Sequence, residues 1–279
     1  MSNLFSKLAN LRKKDVPEGL WLKCPSCEST LYRKKVEENL SVCTGCQHHF
    51  PITARRRIEL ICDPGSFEEM DASLESNDPL KFVAGDTAYA ERLKATQKKT
   101  GEKDAAITGL ARLGEKPVVL AVTDSSFMMG SMGCVVGEKL TRAVEKALEL
   151  KRPLISISAS GGGARMHEAP LSLMQMTKTS VALGRFHEAG GLYISVLCHP
   201  TMGGVMASYA ALGDIVMAEP RALVGFAGPR VIMETIRQTD LPAGFQSSEF
   251  MMEHGMIDMI VHRAEMRDRL IALLGYLVK

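Results

Sequence analysis

No apolar run in this sequence approaches the roughly 20 residues that a bilayer-spanning helix needs. Its opening stretch, MSNLFSKLANLRKKD, lacks the apolar core of a secretory signal. These two absences predict a soluble, cytoplasmic protein with no membrane segment. Charge of one sign is lacking too: 34 Lys and Arg face 32 Asp and Glu, a formal +2. That argues against a strongly polyanionic partner for the protein as a whole. The balance is uneven, because residues 1–60 hold eleven Lys/Arg against six acids. Seven cysteines are an odd number and four sit in tight pairs, which suits a reducing compartment and a metal better than disulfides. There is no internal repeat and no low-complexity tract. Hydrophobic residues at 46% and aromatics at 5% are ordinary for a globular chain with one large domain and something smaller.

What is present begins with CPSC at 24–27 and CTGC at 43–46, a C-x₂-C-x₁₅-C-x₂-C pattern. Each C-x-x-C bends so that both sulfurs reach one ion, and two such knuckles complete a tetrahedron. The segment 21–50 is too poor in apolar residues to build a core, so a Zn²⁺ held by Cys24, Cys27, Cys43 and Cys46 would substitute for one. With all four positions filled by protein the ion is structural. Iron in the same four-sulfur geometry is the competing metal. His48 and His49 are not needed as ligands and are expected at the surface, whereas Cys62, Cys134 and Cys198 are expected as small buried hydrophobes. Residues 1–20 are expected to be a helix or a loosely ordered arm, giving domains at 1–50 and 51–279.

From Pro117 the texture changes to strand-then-helix units. PVVLAVTD, PLISISAS and LYISVLC read as buried strands; DIVMAEP, ALVGF and MIDMIV read as shorter ones. Between them lie helical patterns such as GEKLTRAVEKALEL and PLSLMQMTKTSVALGRFHEA, the latter with Pro170 in its first turn. Continuous apolar strands alternating with helices indicate an α/β sheet covered by helices.

Two strand ends run into glycines: SASGGGARM at 158–166 and HPTMGG at 199–204. A phosphate-binding loop would need Lys-Ser/Thr after its last glycine, and Ala164-Arg165 stand there; a dinucleotide fingerprint would need glycine where Met166 stands. Glycines of this kind let a ligand atom touch backbone N–H groups with no side chain in between. Two such junctions at successive strand ends form a wall rich in backbone donors and nearly free of charge. That suits an oxyanion site for an acyl group.

The stretches SASGGGARMHEAPLSLMQMTKTSVAL and HPTMGGVMASYAALGDIVMAEPRALVGFAGPRVI, with the four-Cys ribbon, resemble the β subunit of bacterial acetyl-CoA carboxylase carboxyltransferase, from about Trp21 to the C-terminus. The resemblance implies a crotonase-like fold of repeated ββα units with a zinc ribbon appended. It implies transfer of CO₂ from carboxybiotin, carried on a biotin carrier protein, to acetyl-CoA, giving malonyl-CoA. It further implies an α subunit of the same fold in an α₂β₂ assembly, and a biotin carboxylase. Gly203 and Gly204 are expected as the enolate-oxygen donors, with Gly162 and Gly163 on the opposite lip. Ala164, Arg165 and Met202, with Gly130 and Gly133 of MMGSMG, are expected along the acyl-CoA. The family stretch reads SGGARMQE; here an extra glycine is present and His167 replaces Gln, and anchoring on Ala164-Arg165-Met166 aligns Gly162-Gly163. No side chain is a compelling base: His167 is expected in a loop or at the surface, and Glu168 as a partner of Arg165 or a helix cap. No Ala-Met-Lys-Met-like biotin attachment site and no ATP loop occurs. Two other readings are a crotonase-type hydratase or isomerase, for which only Glu168 could serve as the carboxylate, and a nucleic-acid module using the basic ribbon with Trp21 or Tyr32.

Overall fold

The computed structural model describes residues 19–236 and 241–278; the expected arm over residues 1–20 lies almost wholly outside the described residues. The chain forms two compact units, residues 1–50 and 51–279.

In the first unit, β1 (Trp21–Lys23) pairs antiparallel with β2 (Thr30–Tyr32), and α1 (Arg33–Glu38) follows. The two cysteine turns close alike. The Glu28 N–H donates to the Cys24 carbonyl at 2.9 Å and the Gln47 N–H to the Cys43 carbonyl at 3.0 Å. Glu28 and Gln47 both take left-handed backbone, φ 59° and 62°. Apart from Cys24 and Cys43, only Val36, Val42 and His49 are buried among the described residues of this unit, far too little to hold a fold together. His49 departs from the surface expectation, because an antiparallel bridge to Val42 folds its segment back over the second cysteine turn.

In the second unit the elements are α2 (Ala54–Ile61), β3 (Glu68–Met70), a hairpin of β4 (Val83–Ala84) and β5 (Thr87–Ala88), α3 (Tyr89–Thr100), β6 (Ala106–Leu113), β7 (Lys116–Thr123), α4 (Cys134–Leu150), β8 (Leu154–Ser160), α5 (Ala169–Glu188), β9 (Tyr193–Met202), α6 (Gly203–Val205) continuing as a π-helical stretch (Met206–Ala210), β10 (Ile215–Ala218), β11 (Val224–Gly225), α7 (Pro229–Ile236), α8 (Ser248–Glu253), β12 (Met259–Ile260) and α9 (Met266–Leu277). The main sheet runs β12-β10-β9-β8-β7-β6-β3, with β11 beside the end of β9. Strands β7 to β12 pair in parallel, while β6 is antiparallel to both β7 and β3. The hairpin β6–β7 with α4 is one ββα unit.

The pleat sorts the side chains. On β7, Val119 and Ala121 face one core with α3, α4 and α5, while Val118, Leu120 and Val122 face the other with α2 and α9. All seven residues of β8 are buried, as a strand covered on both faces requires. Helix α4 buries Val136, Leu140, Ala143, Val144 and Ala147, one face at helical spacing. Helix α5 buries Ala182, Leu183 and Phe186 but leaves Leu173, Met174 and Val181 exposed, so it has apolar surface to spare.

Candidate active site

Parallel strands β7, β8 and β9 end side by side, and the loops leaving them, 124–133, 161–168 and 203–204, meet at the carboxyl edge of the sheet. This edge is where open α/β sheets bind ligands. The first two loops are zipped together. The Met132 N–H donates to the Gly163 carbonyl at 2.7 Å, and the Arg165 N–H to the Met132 carbonyl at 2.8 Å. Gly161 and Gly162 both donate to the Met129 carbonyl, at 2.9 and 3.1 Å. At the third strand end the Gly203 N–H donates to the Phe226 carbonyl at 2.9 Å.

These bonds narrow the expected donor set. The amides of Gly162 and Gly203 are already taken, whereas no hydrogen bond occupies those of Gly163, Ala164 and Gly204. The loops touch at these positions: a Cβ on Gly163 would stand 3.2 Å from the Gly204 nitrogen, and one on Gly204 would stand 3.2 Å from the Ala164 nitrogen. Gly163 and Gly203 both need glycine, since their φ angles are +55° and +62° and their backbones pack against each other. Gly204, in the first turn of α6, presents an amide with no partner inside the helix. The backbones of the second and third strand ends are therefore in close contact where these unoccupied amides lie.

Gly130 and Gly133 have partners within the protein. A Cβ on Gly130 would strike the Ala159 carbonyl, and one on Gly133 would strike the Glu168 carboxylate. Met202 is buried.

Arg165 departs from the expected substrate contact. It is 1% exposed and spends its donors inward. Nη2 donates to Asp104 Oδ1 at 2.7 Å and to the Ser131 carbonyl at 2.8 Å. Nη1 reaches Asp104 Oδ2 at 2.9 Å and Glu168 Oε1 at 3.3 Å, and Nε donates to Ser131 Oγ at 3.1 Å. Burial weighs against its charge, but Asp104, followed by Tyr89 and Glu168, outweighs it and raises the guanidinium pKa. Glu168 is both a partner of Arg165 and a helix cap: Oε2 accepts the Cys134 N–H at 2.5 Å at the start of α4, and Oε1 accepts the Tyr89 hydroxyl at 2.7 Å. So placed, and 1% exposed, it cannot reach an acyl chain, which removes the hydratase reading.

His167 lies in a loop, as one of its two expected placements has it, but is not at the surface: it is 8% exposed, because it stacks on Tyr89 at 4.8 Å and meets Phe82, just before the β4–β5 hairpin, edge-on at 5.5 Å. Neither ring nitrogen has a partner. Burial, then the Arg92 and Arg165 cations, lowers its pKa. Cys62 and Cys198 are buried as expected, and Cys134 is half-buried, its thiol pushed up to about 12 by burial and by Glu168. On the other face, buried Glu219 at the end of β10 accepts Arg263 Nε at 2.8 Å and Arg57 Nη1 at 3.1 Å. Asp124, after β7, caps α2 through the Ala54 N–H at 2.8 Å. Ser76, Tyr89, Asp104, Arg57, Glu219 and Arg263 belong to no sequence pattern, since the side-chain pairs they make span 28 to 162 positions.

In the ribbon the sulfurs of Cys24, Cys27, Cys43 and Cys46 lie within 4.8 Å of one another. Cys24 and Cys46 are 3.6 Å apart, Cys27 and Cys43 3.8 Å. A tetrahedron of Zn–S bonds has edges of about 3.8 Å, so the residues fit a structural Zn²⁺. Among the described residues no helix is long and apolar enough to cross a membrane.

Residues 51–277 match the carboxyl transferase domain family, and residues 21–46 match the acetyl-CoA carboxylase zinc finger domain. The chain is 55% identical over 268 residues to the acetyl-coenzyme A carboxylase carboxyl transferase subunit beta of Rhodopirellula baltica, covering 96% of this chain and 85% of that one. It is 56% identical over 263 residues to the same-named protein of Desulforudis audaxviator, covering 94% and 93%. Among solved structures, transcarboxylase 12S is similar with a TM-score of 0.69 and 25% identity over 88% of this chain; the match spans only 44% of that longer chain. The Pseudomonas malonate decarboxylase MdcD–MdcE heterodimer shares the fold, with a TM-score of 0.63 at 22% identity, over 81% of this chain and 86% of that one. By its ribbon, its glycine-ended strands and these matches over nearly its whole length, the chain belongs to the acetyl-coenzyme A carboxylase carboxyl transferase subunit beta family.

Proposed function

We propose that this chain, paired with a second carboxyltransferase subunit of the same fold, transfers CO₂ from carboxybiotin to acetyl-CoA and so makes malonyl-CoA. The hard step removes a methyl proton from a thioester and leaves negative charge on the thioester oxygen. Two N–H groups aimed at that oxygen stabilise the transition state by several kcal/mol (about 3–4 kcal/mol for one donor). Here the Gly204 amide and the 163–164 amides take that role, while Gly163 and Gly203 let the two backbones approach. Carboxybiotin would supply the CO₂ by breaking its N–carboxyl bond, and the ureido nitrogen freed by that cleavage would accept the methyl proton. The absence of an uncommitted carboxylate at these loops accords with that division of labour. The loop carrying Gly130 and Gly133 flanks the pantetheine arm, with residues 51–279 as the catalytic domain and 1–50 as the arm and ribbon.

The partner subunit is supported by apolar surface around the site. Met129, Met166, Met174, Val181, Phe226 and Val231 are all more than half exposed, and Met129, Met166 and Phe226 sit on or against the site loops; exposed apolar surface of this kind marks an interaction site. The assembly is an α₂β₂ heterotetramer in the cytoplasm, served by a biotin carboxyl carrier protein that a biotin carboxylase loads. The observation that carries the reading is the contact of uncommitted amides from two successive strand ends. The test is to mix the chain with its partner subunit and follow malonyl-CoA decarboxylation onto free biotin. Turnover should require both chains, and turnover by this chain alone would overturn the proposal.

A further inference from the structure

We infer that Asp104, acting through Arg165, and Glu168, acting through Arg165 and the Cys134 amide, are positioning residues that aim the Ala164 N–H at the substrate oxygen; this rests on the oxyanion reading above. In a trans peptide the N–H points opposite to the carbonyl of the same plane. The Gly163 carbonyl is held by the Met132 N–H at 2.7 Å. The Ala164 N–H of that plane is thereby turned away from the 128–133 loop, and its nitrogen lies 3.2 Å from where a Gly204 Cβ would be. Whatever places Met132 therefore aims the Ala164 amide.

Met132 is bracketed on both sides by the buried charges. Its neighbour Ser131 is held by Arg165 at two atoms, the hydroxyl at 3.1 Å and the carbonyl at 2.8 Å. Two residues on, the Cys134 amide is held by Glu168 Oε2 at 2.5 Å. Arg165 in turn is gripped by both oxygens of Asp104, which also accepts the Ala105 N–H at 2.6 Å and the Ser76 hydroxyl. Tyr89 completes the frame by donating to Glu168 at 2.7 Å. A planar fork with fixed donors and two opposed carboxylates sets the loop's place in all directions, which a single lysine charge would not. None of these side chains touches substrate. A misplacement of about 1 Å in such a frame costs on the order of a hundredfold in rate.

The test uses the chain assembled with its partner subunit. Asp104→Asn keeps the shape and removes the charge. Its kcat should fall about tenfold to a hundredfold while the KM for acetyl-CoA stays within about threefold. Glu168→Gln, which still accepts the Cys134 amide, should lose less kcat than Glu168→Ala. A merely structural role would lower the yield of folded complex without this split or this order. Should Asp104→Asn not fold, Tyr89→Phe keeps every charge and should still lower kcat at unchanged KM. A folded Asp104→Asn or Tyr89→Phe enzyme with the parent kcat, or equal losses in Glu168→Gln and Glu168→Ala, overturns the inference. Gly204→Ala serves as the control. If it too is fully active, the oxyanion reading itself has failed; if it alone is inactive, only the positioning role has.

Discussion

Gly204→Ala adds one methyl group at the spot where the substrate oxygen must sit. The new Cβ would stand 3.2 Å from the Ala164 nitrogen and 2.8 Å from the Met176 sulfur. Met176 is half-buried and presents the end of a flexible side chain, so it can give way. The Ala164 backbone, tied to Met132 of the 124–133 loop through the Gly163 carbonyl and the Arg165 N–H on either side, cannot. Gly204 has no positive φ, so alanine brings no backbone strain. An oxygen bound by both amides needs about 2.7–3.1 Å to each nitrogen, and the methyl occupies that space. Loss of one donor costs about 3–4 kcal/mol, a 10²- to 10³-fold drop in kcat. Stability should fall by about 1 kcal/mol, the low end for overpacking a buried position, because Met176 can move while the Ala164 backbone cannot. Gly203→Ala is the contrast: at φ +62° and 3.0 Å from the Gly163 Cα it should lose about 1–2 kcal/mol of stability as well as activity. Malonyl-CoA formation by the assembled enzyme, read beside its melting temperature, separates the two. A folded Gly204→Ala enzyme turning over within tenfold of the parent would refute the donor assignment.

Arg165→Met leaves Asp104 and Glu168 buried without their cation and should destabilise the protein by about 3–5 kcal/mol in urea unfolding; an unchanged midpoint would show that the network carries no such strength. Removing the metal with a strong chelator should unfold the ribbon. Trp21, the sole tryptophan, lies on β1 with Tyr32 at 5.6 Å and reports this by fluorescence; a ribbon spectrum unaltered after metal loss speaks against a structural ion. The folded-state pKa of His167 lies below 6.5, so the unfolded chain takes up that proton first as pH falls. The stability it contributes is fully present above pH 6.5 and declines below it. In His167→Gln that decline should be shallower, as denaturation at pH 7.5 and 5.5 would reveal, and equal slopes would reject the assignment. Met174→Glu with Val181→Glu, on the open face of α5, should leave the melting temperature of the isolated chain alone and abolish assembly with the partner subunit, as size-exclusion chromatography would register.

Local signals carried the ribbon and the parallel half of the sheet. The cysteine spacing needs only tight turns, and the apolar runs of β7, β8 and β9 are buried on both faces whatever their neighbours. Strand β6 escaped because AITGLARL sits beside a polar stretch and pairs antiparallel, so its place depends on β7. His167 follows a glycine loop and looks exposed by sequence. It is buried because Phe82, some 80 positions earlier and just before the β4–β5 hairpin, covers it.

The glycine junctions, the four thiolate ligands and the strand–helix alternation were determined by the order of residues alone, because each rests on chemistry within a few positions. Which amides are uncommitted was decided by the tertiary structure. Gly162 and Gly203 look equal to Gly163 and Gly204 in sequence, yet their N–H groups are consumed by carbonyls of Met129 and Phe226. The Arg165 cluster was decided there as well, since a buried guanidinium must find carboxylates wherever the chain brings them.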